Sequence, residues 1–200
     1  MFNKLLYKGH YGIERETIRI DNNGKFAKTY HQFDENKFIK RDFCENQLEI
    51  ITPVCNSIDE LMKKLEELDN IVRKELKKKN EGLWLYSNPP HYESENDIII
   101  AKLNDIDKKE IFEKSAKIYG KKFFTLSGIH FNFSFDDEYL HTICNNNDFE
   151  KFNNDFYIKL LKYLCKYSWL LVLLTSASPI CDKSFITDKK SGIINRGYAS

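Results

Sequence analysis

Three stretches of this 200-residue chain carry side chains whose types and spacing could do chemistry. In the first, Gly12 to Ile20, residues alternate in a two-residue period. A strand there places Glu14 and Glu16 on one face with Ile18 and Ile20, and Ile13, Arg15, Thr17 and Arg19 on the other. Neighbouring carboxylates on a face that continues as apolar repel each other and lose hydration unless a cation sits between them. The second stretch, Lys37 to Thr52, repeats the oddity: Glu45, Gln47 and Glu49 share a face, with Asp42 just upstream. The third sets His130, Asn132 and Ser134 opposite Ile129, Phe131 and Phe133. One acidic strand reads equally well as a solvent-facing edge, and a lone histidine is more often structural. Together, several carboxylates and a single imidazole form a plausible donor set for Mg²⁺ or Mn²⁺, whereas zinc would want more nitrogen or sulfur.

The elements that must position these residues are partly legible. Asn22-Asn23-Gly24 is a turn signal behind the first strand, and Pro53 stops the second. Ser57 and Glu60 form a capping-box pattern at the start of a helix. Ile58, Leu61, Met62, Leu65, Leu68, Ile71, Val72 and Leu76 then recur at three and four, predicting one amphipathic helix to about Lys79. Asn88-Pro89-Pro90 marks a loop, 96–104 is ambiguous and 106–119 reads as a weaker helix. Phe123 to Phe135 reads as an aromatic strand interrupted at Gly128, and Asp148 to Leu174 as a long apolar helix crossing the core. Strands interleaved with long helices, without a regular βαβ rhythm, predict an α+β domain with an antiparallel sheet.

Composition narrows the function classes. With 42% hydrophobic and 30% charged residues, the chain is neither wholly disordered nor a membrane bundle. Thirty-one basic against 30 acidic side chains, mostly alternating, give no concentrated cationic footprint for nucleic acid. The longest apolar run, Trp169 to Leu174, is far short of a membrane span. Five cysteines without CxxC spacing predict reduced, mostly buried thiols and a cytoplasmic location. No Walker A, GxGxxG or GxSxG sequence occurs, so a bound nucleotide would have to rely on metal ions for its phosphates.

The sequences Gly12-Ile13-Glu14-Arg15-Glu16-Thr17-Ile18-Arg19, Asp42-Phe43-Cys44-Glu45-Asn46-Gln47-Leu48-Glu49-Ile50-Ile51-Thr52-Pro53 and Ser127-Gly128-Ile129-His130-Phe131-Asn132-Phe133-Ser134 stand in an order and spacing that resembles the bacterial glutamate–cysteine ligase family. Weaker echoes are Leu83-Trp84 with Ser87-Asn88-Pro89, Ala177-Ser178-Pro179 with Ser184-Phe185, and Tyr198-Ala199-Ser200. The resemblance implies a glutamine-synthetase-like curved antiparallel sheet with flanking helices. It implies residues 1–200 to be the N-terminal part of a single catalytic domain, and the sheet to be incomplete. It also implies ATP as co-substrate, Mg²⁺ or Mn²⁺, and ligation of the glutamate γ-carboxyl to the cysteine amine through a γ-glutamyl phosphate. By motif, Glu14, Glu16, Glu49 and His130 correspond to metal ligands, with Asp42 a further one.

Some positions depart from the family pattern. Where the family usually carries Tyr-Arg-x-x-Leu, this chain has Ile111, Phe112 and Ser115, and Phe124 replaces a usual glutamine. These departures leave open a γ-glutamyl ligase for a different amine. A truncated, non-catalytic nucleotide-binding remnant is the alternative outside enzymology. The small-molecule partners implied are glutamate, cysteine and ATP.

Overall fold

A computed structural model of the chain describes residues 8–103, 105–145, 148–175 and 182–186. Cys181, the Ala177–Pro179 segment and the Tyr198–Ser200 segment noted above lie outside them. The architecture is α+β, built on an open antiparallel sheet. Its spine is β1 (Gly9–Ile20), the longest strand. One edge of β1 pairs with β3 (Gln47–Ile51), which pairs in turn with β2 (Ile39–Arg41). Along the other edge, β5 (Ile129–Phe135) takes residues 9–15 of β1, and the two-residue β4 (Gly82–Leu83) takes Arg19 and Ile20. At Asn22-Asn23-Gly24 the Asp21 carboxylate accepts the N–H groups of Asn23 and Lys25, and Gly24 takes a φ of 73°. That left-handed conformation is one a side chain other than asparagine or aspartate resists.

Helix α1 (Ile58–Lys77) covers the back of the sheet. Leu68, Val72 and Leu76 pack with Phe33, Ile39, Leu48 and Ile50 into one buried cluster. Ile58, Met62 and Ile71, assigned to the same apolar face by periodicity, remain exposed, because the sheet contacts a narrower stripe than the pattern offers. Ser57 caps the helix by accepting the Glu60 N–H, but the Glu60 carboxylate takes the N–H of Asn56, so only half of the capping box forms. A second cluster, Ile18, Phe26, Phe43, Cys44, Tyr92 and Ile98, lies on the other side of the sheet. Phe112 and Ala116 of α2 (Ile106–Tyr119) and Phe124 pack against it.

Three expectations are corrected. The single extended stretch Lys37–Thr52 is a hairpin, with residues 42–46 forming the turn between β2 and β3. Only the second half of Phe123–Phe135 is strand; Lys121–Thr125 is a 3₁₀ helix. After α3 (Asp137–Ile143), the long helix α4 (Phe149–Thr175) has the predicted extent but buries none of its residues, and so does not cross the core. A short α5 (Lys183–Ile186) follows.

Candidate functional site

Sheet register decides which candidate side chains meet. Glu16 lies opposite Glu49 across β1 and β3, and Glu14 lies opposite His130 across β1 and β5. Residues two apart on a strand share a face, so Glu14, Glu16, Glu49, His130 and Asn132 stand together on the side of the sheet away from α1. The same face carries Ile18, and there it changes from acidic to apolar within one two-residue step. Asp42 is not part of that alternation. It occupies the hairpin turn, where its N–H bonds to the Gln47 carbonyl at 3.3 Å, and its carboxylate is influenced by His130.

The contacts within the group are loose. His130 Nδ1 is 3.4 Å from Glu14 Oε2, and Asn132 donates to Glu14 Oε1 at 3.3 Å. Glu16 is held more firmly, accepting the Gly128 N–H at 2.9 Å. Burial pushes the Glu16, Asp42 and Glu49 carboxyls above their ordinary range. For Glu16 and Glu49, repulsion from neighbouring carboxylates adds to the rise, while the Phe43 N–H opposes it at Asp42. Carboxylates crowded on one face repel one another, and a cation between them would relieve that repulsion. Among the described residues, however, no three His, Cys, Asp or Glu side chains are already gathered around a point that could hold a metal ion. The donor chemistry fits a hard divalent cation, and the set would have to contract onto it against its mutual repulsion.

Two further residues belong to this picture. Lys108, on the first turn of α2, is the cation whose charge acts on both Asp42 and Glu49. Its ammonium lies over the Phe112 ring at 5.4 Å, and Phe112 packs on Phe43 beside Asp42. No spacing rule points to Lys108, because only the docking of α2 brings it to the acidic face. Phe112, read above as a departure from the family pattern, is half-buried and packs against the core, whereas Ile111 is 59% exposed.

Other acidic and basic candidates are structural. Glu45, aligned with Glu49 by sequence parity, sits in the hairpin turn. There it is buried, and its carboxylate accepts from the Arg41 side chain and from the backbone of His31 and Lys102. Arg15 pairs with Asp69 of α1. Arg19 is fully buried and bonds Glu81, Thr29 and the Glu45 carbonyl. A cavity of about 130 Å³ opens beside Glu16, lined by Arg15, Arg73, Trp84 and Ser127, but Glu14, Asp42, Glu49 and His130 do not line it.

Comparison with known proteins places this geometry in context. The family model described as glutamate–cysteine ligase matches residues 1–197. The chain is 42% identical, over 98% of its length, to the glutathione biosynthesis bifunctional protein of Listeria welshimeri, of which it covers 27%. It is 37% identical, over 92% of its length, to the glutamate–cysteine ligase of Clostridium acetobutylicum, of which it covers 40%. The crystal structure of glutamate–cysteine ligase from Francisella tularensis in complex with AMP superimposes with a TM-score of 0.81 at 31% identity. That match covers 92% of this chain and 38% of the other. The chain thus spans about a quarter to two-fifths of the relatives it matches.

Proposed function

Because the chain belongs to the glutamate–cysteine ligase family, we propose that residues 1–200 form the N-terminal part of a catalytic domain that joins the glutamate γ-carboxyl to the cysteine amine. The reaction consumes ATP, passes through a γ-glutamyl phosphate and is the first step of glutathione biosynthesis. The observation that carries the reading is the shared face of Glu14, Glu16, Glu49 and His130, with Asp42 entering from the adjacent turn. These five residues would hold Mg²⁺ or Mn²⁺, and the bound ion would supply positive charge against the phosphate oxygens. The chain's own part is to fix the donors. Pairing with β3 and β5 sets Glu14 and Glu16, the Gly128 N–H orients Glu16, and the hairpin turn presents Asp42. The apolar cluster around Ile18, Phe43 and Phe124 keeps water from one side, which strengthens every charge interaction there. Glutamate, cysteine and ATP are the partners in this proposal, and a cytoplasmic location goes with it.

The test is a chimera in which this chain replaces the matching region of the Clostridium acetobutylicum ligase. ADP release should require glutamate and cysteine together, and Glu14→Ala and Glu49→Ala should each lower kcat by about 100-fold or more. Turnover unchanged in both variants refutes the metal-holding role. Ile111 and Ser115, at the positions that depart from the family pattern, favour a second reading in which the amine is not cysteine. Faster ADP release with another amine in a panel would establish it.

A further inference from the structure

Helix α4 is polar on one side for most of its length and then stops being so. Lys151, Asp155, Lys159, Lys162 and Lys166 recur at three and four and form a single charged stripe. Continued at the same spacing, the stripe would fall on Trp169, Leu170 and Leu173, which are 62%, 43% and 70% exposed. From Tyr167 to Thr175 the helix carries no charge, and residues 161–175 are exposed throughout. A helix apolar on all sides is stable only when enclosed on all sides. Among the described residues the ring and hydrogen-bond contacts of α4 lie in its first half, where Phe149 stacks on His141, Phe156 meets the Phe135 ring and the Tyr157 hydroxyl accepts the Phe135 N–H at 3.0 Å. Nearby, Ile129 and Phe131 on the α1 side of β5 are 68% and 56% exposed.

We propose that the tip of α4, residues 167–175, is an internal strut of the complete ligase domain, enclosed by the polypeptide that corresponds to the remainder of the relatives beyond the matched region. This rests on the reading of the chain as the N-terminal part of that domain. The relatives supply the material for enclosure, since this chain covers only 40% of the Clostridium acetobutylicum ligase. A second copy would cover one side of the tip and leave the others in water. The nine residues span about 13 Å, less than half of a bilayer's hydrocarbon core, and no described helix is long and apolar enough to cross a membrane.

The test compares the 200-residue chain with the chimera carrying the remainder of the Clostridium acetobutylicum ligase, using hydrogen exchange of the backbone over 158–175. In the chimera these amides should exchange about 100-fold more slowly than in the chain alone. Leu173→Asp should lower the melting temperature of the chimera and leave that of the chain unchanged. Equal exchange in both proteins, equal tolerance of Leu173→Asp, or a chimera that does not fold would each overturn the proposal. So would protection of the isolated chain that rises with its concentration as it sediments as a dimer, or that appears only with anionic phospholipid vesicles. The exchange readout needs no turnover, so a protected tip in a chimera that releases no ADP would defeat the functional reading alone.

Discussion

Glu16 and Glu49 oppose each other across two strands, with Asp42 close by, and burial holds all three carboxyls above their ordinary range. The sign of the consequence follows from linkage. Between the unfolded and folded pKa values the native state binds more protons, so these groups favour the fold at low pH and oppose it as pH rises through that window. Glu49→Gln should therefore raise the melting temperature of the metal-free chain at neutral pH by about 2–4 °C. Millimolar Mn²⁺ should stabilise the wild type more than the variant in calorimetric scans, and equal shifts would contradict the cation-holding role. His31 acts in the opposite sense. Burial, reinforced by Arg41, lowers its pKa from 6.5 to about 4. The unfolded chain binds the extra proton between those values, so His31 costs stability as pH falls through that range. Relative to His31→Phe, which keeps a ring against Phe33, the wild type should lose about 1–3 kcal/mol on acidification to the lower value, as measured by urea unfolding at each pH.

At the scale of elements, what fixes β1 is its charged back face as much as its apolar one. Arg19 is fully buried and pairs with Glu81 beyond the end of α1 at 2.8 Å, while Arg15 pairs with Asp69 within α1. Removing one partner of a buried pair leaves the other charge without compensation. Arg19→Met should cost about 3–5 kcal/mol in chemical denaturation, and adding Glu81→Met should recover part of it. A cost no larger than that of a surface substitution would show the pair to be solvated. The hairpin β2–β3 has a different origin. Its turn, residues 42–46, contains neither glycine nor proline; besides its own bonds from the Gln47 N–H to the Cys44 carbonyl and from the Asp42 N–H to the Gln47 carbonyl, it is held from outside, where Glu45 N–H bonds the Ile99 carbonyl and Arg19 N–H bonds the Asn46 carbonyl. Asp42 and Asn46 are weak turn signals without a glycine or proline beside them, which is why Lys37–Thr52 reads as one continuous strand.

For the molecule as a whole, two layers of core enclose one sheet, and a third apolar surface, on the second half of α4 and on Ile129 and Phe131 of β5, is exposed among the described residues. Among the described residues the acidic face is set by three strands and the longest helix buries nothing, so the described elements leave one side of the donors open to water. The 200-residue chain alone should therefore show no ADP release dependent on glutamate and cysteine, while the chimera does. Turnover by the chain alone, in the same coupled assay, would show that the described elements suffice.

The alternation in Gly12–Ile20 and Ile129–Phe135 determined by itself which side of each strand Glu14, Glu16 and His130 would take, because side-chain parity is a local property of extended backbone. The extent of α1 was likewise legible from its cap and periodicity, and α2 has the span 106–119 that reads as a weaker helix. Tertiary structure alone decided that Glu45 turns inward while Glu49 stays on the acidic face, that Asp42 and Lys108 approach it, and that Phe112 packs against the core. Those outcomes depend on which segments dock against one another, and a pattern within one segment carries no record of the surface it will meet.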